Sequence, residues 1–325
     1  MNTLKLKVSV TGATGFVGGA LVGKLVSLRH LEVLALTRKE PLHGLSNVVY
    51  RTLGDLSPDT DWPQGLFNTD VLVHAAARVH VMSDTAVNPL IEFRRVNMHG
   101  TLNLARQAAA SGVRRLIFIS SIKVNGEATQ PGHPFTADDI PAPLDAYGLS
   151  KMEAEQGLRE ITAQTGMEVV IIRPPLVYGP GVKANFAAMM RWLRRGVPLP
   201  LGAIDNQRSL VALDNLVDLI VTCLTHPAAA NQTFLVSDGE DVSSTELLGR
   251  MGQAMGCPAR LIPVPVSWLK LAATLVGKQD VAQRLSGSLQ VDISKTRQLL
   301  GWKPPFSVDE GLKRAAEGYL REASV

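Results

Sequence analysis

Two kinds of hydrophobic pattern alternate along the first half of the chain. Short runs rich in β-branched residues, Leu6–Val10, Glu32–Leu36, Val48–Leu53, Val71–Ala75, Leu116–Ser120 and Val169–Arg173, read as strands. Between them, apolar residues recur at helical spacing over Phe16–Ser27, about Leu90–Ser111 and about Ala146–Thr165. Strands alternating with helices of this length predict an α/β fold built on a doubly wound parallel sheet. Such sheets bind ligands beyond the carboxyl ends of their strands.

The texture changes after Pro174-Pro175. Tyr178-Gly179-Pro180-Gly181 is a turn, and Asn185–Arg195 a helix ending at Gly196. Leu210–Thr225 reads as strand then helix, and Gln232–Val236 as one more strand. From Ser243 onward the pattern is helical and broken by Pro258, Pro263, Pro265, Pro304 and Pro305. The expectation is a nucleotide-binding domain of 1–175 and 208–239, with a smaller, discontinuous C-terminal substrate domain of 176–207 and 240–325.

Composition narrows the class. A chain of 325 residues, 46% hydrophobic and 19% charged, is globular and long enough for about two domains, not a disordered tail or a fibre. The net charge is +4, but the basic residues are scattered in pairs such as Arg94-Arg95, Arg114-Arg115 and Arg194-Arg195, which read as solvated faces. No nucleic-acid surface is expected from them. Cys223 and Cys257 are the only cysteines, without a CxxC pair, so no metal site or disulfide framework is expected and a reducing cytoplasm fits. The first residues lack the layout of a signal peptide, and no run approaches the ~20 apolar residues that span a bilayer, so no membrane insertion is expected. Trp268–Val276, interrupted by Lys270, reads as a buried or interfacial helix.

Candidate chemistry begins at Gly12-Ala13-Thr14-Gly15-Phe16-Val17-Gly18, between the first strand and the first helix. Gly12 permits a tight turn, Gly15 lets backbone approach a pyrophosphate, and Gly18 lets the helix pack close on the sheet, a Rossmann-type dinucleotide turn. Taken alone, the spacing could be a structural turn; its position makes it a binding loop. The second strand ends Leu36-Thr37-Arg38-Lys39, without the carboxylate that would bind a ribose. Arg38 can meet a 2′-phosphate instead, or be a solvated loop charge. NADP is favoured on this ground, with NAD also usable.

Tyr147 and Lys151, four apart at a helix start, share one face. An ammonium beside a phenol favours the phenolate and makes Tyr147 a usable general acid/base, while Lys151 can also hold a ribose. Such a pair is also common on an exposed helix. Ser120-Ser121 at the end of the preceding strand adds a hydroxyl for the same substrate oxygen, although a strand-end serine is otherwise a cap.

These motifs, with Gly54-Asp55-Leu56, His74-Ala75-Ala76, Val96-Asn97 and Gly100-Thr101 in one order, resemble an extended short-chain dehydrogenase/reductase of the nucleotide-sugar epimerase and reductase group. The likeness runs through Leu300-Gly301-Trp302-Lys303-Pro304 near the end. It implies Ser121, Tyr147 and Lys151 as the catalytic triad. It places Gly12, Thr14, Gly15, Phe16, Val17, Arg38, Asp55, Leu56, Ala75, Ala76 and Pro174, with Tyr147 and Lys151, around the cofactor. Asn97 looks like the asparagine that supports the site. Arg208, Asn185 and, more weakly, Arg284 would face the diphosphate of a UDP-linked sugar.

Where 4,6-dehydratases of the group carry Thr-Asp-Glu, this chain has Ser121-Ile122-Lys123, so elimination chemistry is not expected. Ile122 through Gly126 with Arg173-Pro174-Pro175 most resembles reductases of UDP-4-keto-6-deoxy amino sugars, whose product is UDP-N-acetylquinovosamine for surface polysaccharide. The expectation is therefore an NAD(P)-dependent C4 reductase. The alternatives are a UDP-sugar 4-epimerase with bound NAD, a reductase of a sterol or flavonoid-type ketone, or a dinucleotide-sensing regulator. A homodimer through exposed helices follows only from the analogy.

Overall fold

The computed structural model describes residues 5–40, 44–45, 47–62, 66, 68–79, 88–130, 132–275, 277 and 279–323, without the side chains of 280, 281 and 284. Strands β1 (Leu6–Thr11), β2 (Leu31–Thr37), β3 (Val49–Thr52), β4 (Val71–His74), β5 (Arg115–Ile119), β6 (Glu168–Arg173) and, after two strands that pair elsewhere, β9 (Thr233–Leu235) form one parallel sheet. Its order is β3-β2-β1-β4-β5-β6-β9, so the direction of winding reverses between β1 and β4. That reversal opens a crevice at the carboxyl edge, above both strands.

Alternation along each strand sends side chains to two cores. In β5, Ile117 packs with α1 (Phe16–Val26) through Leu21 and Leu25, whereas Leu116 and Phe118 pack on the other face. That second face is covered by helices carrying Leu102, Ala105 and Leu158. The helix expected over 90–111 is irregular: α2 (Pro89–Phe93) runs into a wide π-helical stretch, Arg94–Gly100, and continues as α3 (Thr101–Ala110). Asn88 caps its start, accepting from Ile91 N–H. Helix α4 (Ala146–Thr165) has the bounds its pattern predicts, with Asp145 as cap and Gly166, φ +75°, as its left-handed stop.

The remaining chain builds a second core. β7 (Leu176–Tyr178), β8 (Arg208–Ala212) and β10 (Asp241–Val242) form a three-stranded sheet ordered β10-β8-β7. α5 (Ala184–Arg194), α7 (Ser244–Ala254) and α11 (Val308–Glu322) pack on it through Phe186, Met190, Leu248 and Leu312. Capping boxes, Ser243 with Glu246 and Ser307 with Glu310, start α7 and α11. α6 (Leu213–Thr225) instead lies against the large sheet, beside α1. The two-domain division remains a proposal, which the packing adjusts in two ways. β8 belongs to the smaller sheet, with Leu210 in its core and Val211 in the larger one. Val291, Ile293, Leu300 and Trp302 return to the core of the larger sheet.

Candidate active site

Beyond the end of β1, Gly12 adopts φ +67° and its carbonyl accepts from Gly15 N–H at 2.8 Å. A side chain is excluded at two points. A Cβ on Gly12 would sit 2.7 Å from the Ala76 nitrogen, and one on Gly18 only 2.2 Å from the Gly12 oxygen. No side chain caps α1, so its first N–H groups face the turn with the partial positive charge of the helix end. Thr14 and Gly15 are exposed at the mouth, with Phe16 and Val17 half-buried behind them. This cradle fits the diphosphate of a dinucleotide.

His74 ties the turn to its surroundings. One ring nitrogen, Nδ1, is 2.6 Å from the Thr11 hydroxyl, and Nε2 is 2.9 Å from the Thr101 hydroxyl. Thr11 Oγ1 also accepts from Ala76 N–H at 3.3 Å. Burial, helped by the charge of Lys151, pushes the imidazole down to about 3, so it stays neutral between two hydroxyls. Its ring stacks on Phe118, 5.7 Å away.

Ser121 follows β5, and α4 brings Tyr147 and Lys151 beneath it. The Ser121 and Tyr147 hydroxyls are hydrogen-bonded. Burial raises the Tyr147 phenol to about 12, the Asp145 carboxylate adds to the rise, and the bond to Ser121 opposes it. Lys151 is buried; its ammonium donates to the Ile119 carbonyl at 2.8 Å and lies 4.3 Å from the centre of the Phe118 ring. Burial lowers it to about 7, against an opposing pull from the Glu155 carboxylate. Ser121, Tyr147 and Lys151 thus lie together at the carboxyl edge of the sheet.

Around it lies polar structure that sequence reasoning missed. Glu155 is buried, and its carboxylate accepts from the Ser120 hydroxyl at 2.6 Å and from Arg173 at 2.9 and 2.6 Å. Arg173 donates also to Asn125 Oδ1 at 2.9 Å, and Asn125 to the Thr136 carbonyl at 2.8 Å. The YxxxK spacing extended by another helical turn, plus the arginine before Pro174, was the only signal. Asn97, on the π-helical stretch, accepts from Arg78 N–H at 2.8 Å and donates to the Arg78 carbonyl and the Ser150 hydroxyl. Ser150 in turn donates to the Tyr147 carbonyl at 2.8 Å. Lys123 pairs with Asp145, the cap of α4, and with Glu127 at 3.0 Å.

The other candidates are distributed as follows. Ala75 and Ala76 follow β4 against the glycine turn, and the Pro174 carbonyl accepts from Ile122 N–H at 3.0 Å. Leu56 lies against Gly100. Arg38, expected to meet a 2′-phosphate, has its Nε 3.7 Å from the Asp55 carboxylate, and both side chains are exposed. A carboxylate therefore stands beside the cation offered to the phosphate. Asn185 is exposed in the first turn of α5. Arg208, half-buried at the start of β8, donates to the Gly287 carbonyl at 3.3 Å. Arg284 belongs to the helix Gln279–Ser286, but its side chain lies outside the described residues.

Residues 8–237 match the NAD dependent epimerase/dehydratase family. A UDP-glucose 4-epimerase of Vibrio cholerae is 51% identical over 96% of this chain and 95% of its own length. An N-acetyl-α-D-glucosaminyl-diphospho-ditrans,octacis-undecaprenol 4-epimerase of Escherichia coli O157:H7 is 25% identical over 95% of this chain and 94% of its own. Among solved structures, the UDP-glucuronic acid 4-epimerase of Bacillus cereus in complex with NAD superposes with a TM-score of 0.79 at 21% identity, covering 98% and 99% of the two chains. No helix among the described residues is long and apolar enough to cross a membrane. The chain belongs to the NAD dependent epimerase/dehydratase family, in the nucleotide-sugar group of extended short-chain dehydrogenases/reductases, whose cofactor is a nicotinamide dinucleotide.

Proposed function

We propose that the protein is a nucleotide-sugar 4-epimerase acting on a UDP-hexose. The observation that carries this reading is the 51% identity, over 96% of the chain, to the Vibrio cholerae UDP-glucose 4-epimerase. It favours the epimerase over the 4-keto-sugar reductase expected from residues 122–126 and 173–175. The cofactor argument for a reductase also weakens, because Arg38 has Asp55 beside it.

A nicotinamide dinucleotide held at the glycine turn Gly12–Gly18 would supply the hydride acceptor and donor that inversion at C4 of the sugar requires. Everything else falls to the chain. Tyr147 accepts the proton of the C4 hydroxyl and later gives it back, so the same phenol serves as base and acid. A phenol raised to about 12 stays protonated at neutral pH but holds its proton tightly, so positive charge nearby is needed for it to pass the proton in either direction. Lys151 supplies that charge and grips the ribose. Ser121 holds the C4 oxygen in both directions, and Asn97 fixes the start of α4 through Ser150. The glycine turn seats the diphosphate of the cofactor; Arg208 and Asn185 are assigned to that of the sugar.

The test follows UDP-glucose and UDP-N-acetylglucosamine by NMR while nicotinamide absorbance is recorded. Interconversion of 4-epimers without net change in reduced cofactor is expected, and Tyr147→Phe should lower it by roughly 10²–10⁴-fold while cofactor still binds. Consumption of NADH or NADPH with a UDP-4-keto-6-deoxy sugar, and no epimerisation, would restore the reductase. A polyprenyl-diphosphate sugar, the kind of substrate named for the Escherichia coli relative, belongs in the same assay as an alternative carrier.

A further inference from the structure

Helix α8 (Val266–Leu275), which also contacts the helix Gln279–Ser286, has apolar residues on two faces, and among the described residues only one of these faces packs on a core. Val266 and Leu269 pack against the second core. Trp268, Leu271 and Leu275, at positions i, i+3 and i+7, form another stripe and are 71%, 63% and 80% exposed. Single exposed apolar residues are ordinary; a stripe that includes a tryptophan is a surface awaiting contact.

Backbone pairing widens this patch. Leu199 and Leu261 form a bridge in which Ile262 N–H donates to the Leu199 carbonyl at 2.8 Å and Gly202 N–H to the Ile262 carbonyl at 2.9 Å. The exposed Pro198 and Pro200 thereby run alongside the exposed Ile262 and Pro263, which lead directly into α8.

Charge identifies what this surface fits. From Lys183 to Ile204, and again from Leu247 to Gln279, the chain contains no aspartate or glutamate. Arg191, Arg194, Arg195, Arg260 and Lys270 lie in these segments, and all five are exposed. None of them makes an ion pair among the described residues. A two-fold contact with a second copy would bring these cations towards their own equivalents, which disfavours it. Tryptophan and leucine flanked by arginine and lysine suit the boundary between headgroups and acyl chains of an anionic bilayer.

We propose that α8, with the adjoining loops at 197–200 and 260–265, docks the protein on an anionic phospholipid surface. The helix lies in the plane of the surface, its Trp268, Leu271 and Leu275 side chains inserted and Arg260 and Lys270 facing the headgroups. Ten residues are too few to span, so docking is peripheral and reversible.

The experiment mixes the full chain with vesicles of phosphatidylcholine alone or with phosphatidylglycerol added, followed by flotation and tryptophan emission. Binding to the anionic vesicles with a blue shift is expected, weakened by salt and by Arg260→Glu with Lys270→Glu. The triple variant Trp268→Ser, Leu271→Ser, Leu275→Ser should lose about tenfold or more in vesicle affinity. Its circular dichroism and turnover of the soluble substrate should match the parent, which separates docking from folding and from the catalytic reading. The proposal is overturned if the parent ignores anionic vesicles, or if parent and triple variant bind them equally. It is also overturned if the substitutions turn a dimer into a monomer and leave vesicle binding unchanged, which would make this face a contact between copies.

Discussion

The Ser120 hydroxyl donates to Glu155 Oε1 at 2.6 Å, so the residue before the proposed catalytic serine is tied to a buried carboxylate one helical turn from Lys151. Glu155 also neutralises the buried Arg173. Glu155→Gln leaves that guanidinium without its counter-charge, and a loss of about 3–5 kcal/mol in stability is expected. It also removes the carboxylate that holds Lys151 protonated. The alkaline limb of the pH–rate profile should therefore move to lower pH. An unchanged limb in a folded variant would confine Glu155 to a structural role.

Lys151 itself carries a stability signature. Its folded-state value is about 7, below the ordinary 10.5, so between these values the unfolded chain binds more protons and stability rises with pH. Below pH 7 the full cost of burying the ammonium is present. Lys151→Met should be more stable than the parent at pH 6, by a few kcal/mol at most at ~1.4 kcal/mol per pKa unit, less whatever the Ile119 carbonyl loses. Thermal melts at pH 6 and pH 10 check this: the advantage should shrink at the higher pH, while turnover is lost at both.

His74 has the same kind of shift, a base lowered from 6.5 to about 3. Between those values the unfolded chain again binds more protons, so stability falls as pH drops from 6.5 towards 3. His74→Gln removes the titration but not all of the hydrogen bonding. It should cost about 1–3 kcal/mol at pH 7, and its stability should fall less steeply with acid than that of the parent. Chemical denaturation across pH 4–7 decides.

Asp55 and Arg38 set a prediction for cofactor choice. Asp55→Asn removes a negative charge 3.7 Å from Arg38, on the side expected to meet the ribose. The affinity for NADP should rise relative to NAD, by less than about tenfold because both groups are exposed. Arg38→Ala should move the ratio the other way. Titration calorimetry with both dinucleotides reads the ratio directly, and an unmoved ratio would place the ribose elsewhere.

Much of the fold was legible because it is written in short-range patterns. The glycines from Gly12 to Gly18 and the Tyr147–Lys151 spacing each lie within a turn or two of chain. The helix over 146–165 is legible in its apolar spacing, and Asp145 and Gly166 cap it in the structure. What escaped was assembled across the sheet. Arg173 meets Asn125 from 48 residues away, and His74 meets Thr11 from 63, pairings that periodicity does not encode. The π-helical stretch keeps the apolar content of a helix while changing its pitch, so a 3.6-residue repeat reads straight through it. The approach of Asp55 to Arg38, from the exit of another strand, is likewise not encoded in short-range pattern. The choice between reductase and epimerase does not lie in Ser121, Tyr147 and Lys151, because the roles proposed for them are the same in either reaction.

The three-stranded sheet has a consequence for how the protein is made. Its strands β7, β8 and β10 are contributed by successive passages of the chain, and β10 is synthesised only after β9. Translation at about 5–20 residues per second leaves β7 on the ribosome surface for several seconds before β10 exists. Throughout that interval the nascent chain exposes an incomplete sheet and the apolar residues that Leu248 and Leu312 will later cover. Premature termination before Asp241 would yield a chain whose larger sheet has all seven strands while its smaller one never closes, a product for proteases and chaperones to remove.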